Sequence, residues 1–505
     1  MLLRKWILAV AIALSCAAWG QVDYGVEQWL QEEGSESTAA DWSDRLAELQ
    51  ASPVNINDTA ALAQLPFLTP FHHQALKNYI RLYGELLSVK ELALVPGFDS
   101  SLLTLIAPLV RVGAVPQKER WRWWEGRHTL TLGLGATVEQ AAGYANGHYE
   151  GDNHHALMAY QYNYRDRLQV GFAADKDPAE AWGRGNFYNY HLMLGNVGRL
   201  AKAAVGRYSL QFGQGLTLWT GFQPFDITGL SPERYGAGIK RAGTFNEEDY
   251  LEGAAATIRL WRGLSATGFA SRTTGATLAG GHAEWRHGNI VLGTTLTHTA
   301  LSDSLNPREL AYNRNAFRGD RLGNLGVDAL WQTGGLLLYG EAGVDHEGHM
   351  AAIGGLRLRL GSNRMLGICL RHYGSEYHNL HSQPYSTGNG QGEQGVRLDL
   401  QSGLPLGLKG RFSADLHRFP TLRYANYRPS EGARLRVQID KSLSSHLSAS
   451  LRYTYRQKSR NVPYLDSAVY AGEYTCWQQL QAEAKAEWER WTLTAKGGLA
   501  MFGSE

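Results

Sequence analysis

Asp345-His346-Glu347-Gly348-His349 puts four side chains able to ligate a metal into five residues. Imidazole and carboxylate together suit a divalent transition ion. The stretch lies between two apolar runs, where such residues more often make a solvated turn between strands. His72-His73 is a second candidate, but adjacent residues on a helix face different ways and do not converge on one ion. Gly213-Gln214-Gly215 has the glycines of a phosphate loop without the strand–turn–helix setting that cradles a phosphate. Glu341 and Asp345 alternate with Ala342 and Val344. Both therefore belong to one polar face, expected to line water. Arg357, Arg359, Arg436 and Arg452 also fall on such faces. They are expected either to form a basic wall favouring anions and nucleic acid or to pair with Asp399, Asp440 and Glu487. No Ser, His and Asp residues have a spacing specific to a hydrolase, so the expectation is a protein that is not an enzyme, with no catalytic residue, no metal and no cofactor. Of the three cysteines, Cys16, Cys369 and Cys476, the last two read as isolated packed thiols.

The elements that must position these groups are strands. In Leu447–Arg456 (LSASLRYTYR), Leu447, Ala449, Leu451, Tyr453 and Tyr455 fall on one face of an extended chain, with Ser448, Ser450, Arg452, Thr454 and Arg456 on the other. The same period of two returns in Val396–Gln401, Leu356–Leu360, Leu435–Asp440, Ala482–Glu489 and Trp491–Gly497. From Arg127 onward such segments follow in series, Leu216–Gly221 among them, on the order of 18–20 in all. Tight joints (Trp261-Arg262-Gly263, Arg286–Asn289, Gly361–Arg364) alternate with long ones (Gln223–Leu251, Thr299–Asn324, Gly374–Gln394). That alternation is the habit of membrane barrels, whose long loops are extracellular. No run of about 18 apolar residues follows the N-terminus, so a membrane span here requires a closed sheet. Abundant glycine (58) together with 25 Tyr and 15 Trp fits the turns and aromatic girdles of such a barrel. Lys+Arg (49) nearly balances Asp+Glu (47), which argues against a general polyanion binder. The final residues, Met501-Phe502-Gly503-Ser504-Glu505, lack a terminal aromatic residue. The last strand is accordingly read as incomplete, or the chain as a fragment.

Before the barrel the chain changes character. Residues 1–20 read as a secretory signal, with Arg4 and Lys5 ahead of the short apolar run Trp6–Leu14 and small residues at Ala18 and Gly20. Ala13-Leu14-Ser15-Cys16 loosely matches a lipidation site, and the alternatives of cleavage after Gly20 and lipidation at Cys16 stay open. Residues 21–51 form an acidic leader. Residues 52–115 are helical and duplicated: at an offset of 30, Leu62 matches Leu92, Pro66 matches Pro96 and Arg81 matches Arg111, the mark of one helical unit used twice. Asn57 is expected to cap the first helix and Ser88-Val89-Lys90-Glu91 to form a capping box. Residues 116–126 are a basic, Trp-rich link suited to a membrane interface or to packing on the helices. The fold class is thus α+β and multidomain: a small all-α domain followed by a large antiparallel transmembrane β-barrel at 127–505.

Val54-Asn55-Ile56-Asn57, Leu65-Pro66, Tyr83-Gly84, Ser88–Leu92 and Val95-Pro96-Gly97-Phe98 resemble a tandem helix-hairpin-helix domain like that of the DNA receptors of natural competence. Together with Gly206–Phe222, they make the chain similar to Bacteroidetes outer-membrane barrels that carry such a domain. The resemblance implies an outer-membrane protein whose helical domain lies in the periplasm and binds DNA without sequence preference, as in DNA uptake. Gly97, Phe98, Lys77, Arg81, Lys90 and Arg111 are its candidate DNA contacts. The residues also support another reading. The turn Pro66-Phe67-Leu68-Thr69 has no glycine. Within Ser52–Val112, Lys77, Arg81, Lys90 and Arg111 are balanced by Asp58, Glu85, Glu91 and Asp99. In that reading the chain is a non-enzymatic channel or structural barrel whose helical module plugs the pore or docks a periplasmic protein. The expected partners are outer-membrane lipid, DNA and a periplasmic protein.

Overall fold

The structure is a computed structural model that describes residues 49–504 except 51–52, 59–61, 63–64, 66–67, 69, 96–97, 99–101, 104–105, 114–122, 137–138, 140, 165–166, 184–185, 222–231, 235, 246–248, 362–363, 389, 425, 427, 445, 464–469 and 489–490. The signal, nearly all of the leader, most of the Trp-rich link, Gly97 and the Pro66 turn lie outside the described residues. The chain divides into two units. One comprises residues 1–190 with Gly243–Glu248, the other His191–Ala242 with Asp249–Glu505.

In the first unit, β1 (Val54–Asn55) pairs parallel with β2 (Val110–Arg111), which joins the two ends of the duplicated region. Between them run α1 (Pro70–Tyr83) and two short 3-10 turns, Val89–Leu94 and Ala107–Leu109. Leu102, Leu103 and Ile106 are also helical. α1 stops at Gly84, whose φ of +92° is open to glycine and whose N–H donates to Ile80 O at 2.9 Å. Ile56, Leu62, Leu76, Leu86, Leu92 and Ile106 are buried as the small apolar core. Asn57, whose expected helix lies mostly outside the described residues, is buried. Its side chain accepts from Leu86 N (2.9 Å) and donates to Leu86 O (3.0 Å), clasping the chain after α1. Ser88 does cap, accepting from Lys90 N at 3.2 Å, while Glu91 accepts from Leu87 N at 3.3 Å. The same unit holds the antiparallel run β3 (Arg127–Ala136), β4 (His154–Tyr164) and β5 (Leu168–Lys176).

β6 (Phe187–Val197) is divided in sequence between the first and the second unit. The strands that follow are β7 (Leu200–Gln211), β8 (Gly238–Arg241), β9 (Leu251–Trp261), β10 (Leu264–Thr273), β11 (Ala276–His287), β12 (Ile290–Leu305) and β13 (Gly319–Thr333). They continue with β14 (Leu336–Asp345), β15 (Met350–Arg359), β16 (Arg364–Tyr373), β17 (Glu393–Leu404), β18 (Leu408–Phe419), β19 (Ser430–Ser442), β20 (Leu447–Pro463), β21 (Tyr470–Glu487) and β22 (Thr492–Ser504). The twenty strands β3–β22 have the cyclic order of a closed barrel. Neighbours from β9 to β22 pair antiparallel. β7 pairs with β9 along its first part and with β8 along its last four residues.

Alternation decides which side chains face outward. On β17, Val396, Leu398 and Leu400 are exposed while Asp399 is buried; on β16, Leu370 is exposed beside buried Cys369 and Arg371. Exposed Trp261, Trp285, Trp331, Trp488 and Trp491 sit at or within three residues of the short joints between strands. Two sequence expectations are corrected. Leu216–Gly221 is not a strand of the barrel; it makes one isolated bridge, Gln211 with Trp219. Thr299–Asn324 is not one long loop either, because β12 runs to Leu305 and β13 begins at Gly319.

Candidate functional site

The site lies in the second unit, where two loops fold against the buried face of the sheet. The first follows β7. Gly213, Gly215 and Gly221 have φ of +55°, +84° and +73°, so Gly213-Gln214-Gly215 turns the chain sharply inward. Leu216, Thr217, Leu218 and Trp219 are all fully buried, each at 0% exposure. A period of two predicts one wet face, but here protein covers both.

A carboxylate from the wall holds this loop. Gln214 N and Leu216 N donate to Glu341 Oε2 at 2.7 and 3.0 Å, and Thr217 N donates to Glu341 Oε1 at 2.8 Å. The glycine turn does make an anion cradle, but its occupant is the protein's own β14 carboxylate. The expectation that Glu341 lines water is overturned. Glycines at the facing wall leave room for the loop: a Cβ on Gly326 would overlap Thr217 Oγ1, and one on Gly343 would lie 2.9 Å from Tyr377 OH.

The second loop, residues 374–392 between β16 and β17, packs on the first. Trp219 N donates to His381 O at 2.8 Å, and Gln383 N to Gly215 O at 2.9 Å. Asn379 Nδ2 donates to Thr217 O at 2.8 Å and Tyr377 OH to Leu216 O at 3.2 Å. Arg234 lies over the Trp219 ring, 4.5 Å from its centroid, and donates to Gln383 O. Arg234 N and Gln214 Oε1 bond at 2.9 Å, and Arg357 pairs with Glu233 at 2.6 Å. Arg357 thus pairs with a loop residue. Asp345 is a second wall anchor, accepting from Glu347 N and His349 N (both 3.0 Å) and from His378 N at 3.2 Å. The His/Glu/Asp stretch is therefore a turn built on a buried carboxylate, not a converged metal site.

Beyond Glu341 lies a charged cluster. Arg371 bonds Glu393 at 2.6 Å and Asp415 through both terminal nitrogens at 3.0 and 2.8 Å, with its side chain wholly buried. Tyr385 OH donates to Asp415 at 2.8 Å and accepts from Arg397, while Arg397 pairs with Asp399. Thr387 N and Gly388 N donate to Glu393, closing the far end of the second loop. Of the arginine partners expected from sequence, Asp440 pairs with Arg411 and Asp399 with Arg397. Arg359 donates to Gly361 O and Arg452 to Gln438. These bonds hold charge in fixed positions; the arrangement is one of anchoring and filling.

Burial pushes the His381 imidazole down to about 4 from 6.5. An opened loop exposes the ring and takes up a proton that the packed loop refuses. Packing is therefore at full strength above pH 6.5 and is lost as pH falls through 4. That loss amounts to about 3 kcal/mol. Hydrogen exchange of the 374–392 amides is expected to accelerate across that window and to become insensitive to it in His381→Gln.

Lys77, Arg81 and Lys90 are exposed, the first two one turn apart on α1, and Arg111 is exposed on β2. Phe98 is instead a core residue, 5% exposed, with its ring edge-on to His72 at 5.2 Å. His72 and His73 are both buried. Sequence reasoning pointed to Glu341 and Asp345 but missed Glu233, Arg234, Arg371, Tyr385, Glu393 and Asp415 as a connected set. Alternation marks the last two as inward-facing, but no local signal marks their partners.

No family model matches the chain, and no curated protein matches it. Solved structures do. The chain is similar to Wzi of Escherichia coli, an outer-membrane protein involved in group 1 capsule assembly and a carbohydrate-binding β-barrel, at 11% identity and a TM-score of 0.36 over 80% of this chain and 94% of that one. It is similar to the outer-membrane protein OpdK of Pseudomonas aeruginosa at 13% identity and 0.35, over 69% and 92%. It is also similar to OmpT, an outer-membrane protein of Vibrio cholerae, at 9% identity and 0.27, over 68% and 90%.

Proposed function

We propose that this chain is a non-enzymatic outer-membrane barrel whose interior is closed at rest by its own loops, a gated passage or sealed anchor. The observation that carries the reading is the Glu341 carboxylate taking three loop N–H groups in a fully buried setting. Membrane placement is supported by exposed Leu292, Leu296, Leu325, Val327 and Leu370 on the outward face and by the tryptophans at the short joints. In water that face would forfeit on the order of 1.5–3 kcal/mol for each large side chain left uncovered. Outer-membrane lipid is the first partner on this reading. The helical region is a docking module for a periplasmic protein.

The test is fractionation followed by planar-bilayer recording of the full chain. It is expected in the detergent-extracted outer membrane, with low and infrequent conductance. A freely soluble protein, or a steadily open large pore, overturns the proposal.

DNA binding by the helical region is the second reading, favoured by exposed Lys77, Arg81, Lys90 and Arg111. With Phe98 in the core and the charges of this region balanced, the expected result for the full chain is no micromolar affinity for duplex DNA at low salt. Micromolar binding with a steep salt slope, lost in Lys77→Glu/Arg81→Glu, would establish the DNA reading instead.

A further inference from the structure

We propose that His155, Asp175 and Asp177 bind a divalent first-row transition ion, with zinc as the reference case. The site lies wholly in the first unit. Antiparallel pairing of β4 with β5 sets Leu157 opposite Asp175 and Ala156 opposite Lys176, bringing His155 beside Asp177 at the end of the ladder. His155 Nε2 lies 2.8 Å from Asp175 Oδ1 and 3.9 Å from Asp177 Oδ1. One ligand atom from each of the three residues falls within 4.8 Å of the other two. Ligands held about 2.1 Å from one ion sit roughly 3.0–3.4 Å apart, between those two separations. A small rotation of the exposed Asp177 side chain completes the set.

The neighbouring cation is committed elsewhere. Lys176 Nζ, nearly buried, bonds Asp152 Oδ1 at 2.9 Å, His154 O at 2.8 Å and Asp177 O at 3.2 Å. Trp182 Nε1 donates to the other oxygen of Asp152 at 3.2 Å. The frame around the three ligands is thus fixed by a separate ion pair, while two carboxylates face one imidazole. With a divalent ion the set is electrically neutral, and the imidazole selects against calcium and magnesium. Three protein ligands leave coordination positions open to water or to an anionic group.

The experiment is zinc binding by the chelator-washed full chain in detergent, read by equilibrium dialysis with metal analysis and by X-ray absorption at the zinc edge. A single ion per chain is expected, with nitrogen and oxygen ligands at about 2.0–2.2 Å. His155→Ala and Asp177→Asn are each expected to weaken binding more than about 10-fold. Asp177 is exposed, so its variant keeps the fold. His349→Ala, at a separate histidine–carboxylate group, is expected to change nothing. No zinc above background, equal affinity in Asp177→Asn, or loss in His349→Ala overturns the proposal and leaves His155 as an ion-pair partner only.

Discussion

Glu341→Ala is expected to release the loop after β7 and raise the open probability of the barrel in planar bilayers. The substitution strips three backbone N–H donors, on Gln214, Leu216 and Thr217, of their acceptor in a buried place. Each orphaned donor costs about 1–3 kcal/mol, so the packed loop loses on the order of 3–9 kcal/mol. The strand ladders keep their own hydrogen bonds, so the barrel itself is expected to survive. Its heat-resistant migration in detergent gels should be unchanged while hydrogen exchange at 214–217 accelerates by about 100-fold or more. Glu341→Gln should be milder, because one amide oxygen still accepts while its NH2 faces donors. Gly326→Val attacks the same contact sterically from β13, where any Cβ overlaps Thr217 Oγ1. If both variants leave conductance and exchange as they were, the loop is not the element that closes the interior.

What could be read from the sequence follows from which forces are local. Alternation is local: each strand's outward aliphatics and inward polar groups are visible two residues at a time, and β15, β17, β19 and β20 lie where LRLRL, VRLDLQ, LRVQID and LSASLRYTYR place them. Helix ends are local too, as Gly84 and Ser88 show. The loop–wall contacts are not. Glu341 and Thr217 are 124 residues apart, Arg357 and Glu233 likewise, and Arg371 and Asp415 are separated by 44. Leu216–Trp219 has the composition of a strand because burial selects apolar residues whether the partner is lipid or the rest of the same protein. Glu341 was legible as an inward-facing group. That its solvent is backbone N–H, not water, depends on a turn whose only sequence trace is two glycines, Gly213 and Gly215.

Arg371→Met is expected to destabilise the second unit strongly. Arg371 lies between Glu393 and Asp415, and none of the three side chains is more than 3% exposed. Removing the guanidinium leaves two carboxylates in a dry place, a loss of about 3–5 kcal/mol. Partial compensation is already present: Glu393 keeps the N–H groups of Thr387 and Gly388, and Asp415 keeps Tyr385 OH and His417. Lysine is a poor substitute, because a single ammonium cannot reproduce a fork that reaches Glu393 through Nε and Asp415 through both terminal nitrogens. The penalty comes from uncompensated charge, not from lost packing. Arg371→Met combined with Glu393→Gln and Asp415→Asn should therefore recover more than half of the lost stability, measured as the denaturant midpoint of the detergent-solubilised barrel. If the triple variant is weaker than Arg371→Met, the cluster's worth lies in its hydrogen-bond geometry, and charge balance is not what fixes the far end of the second loop.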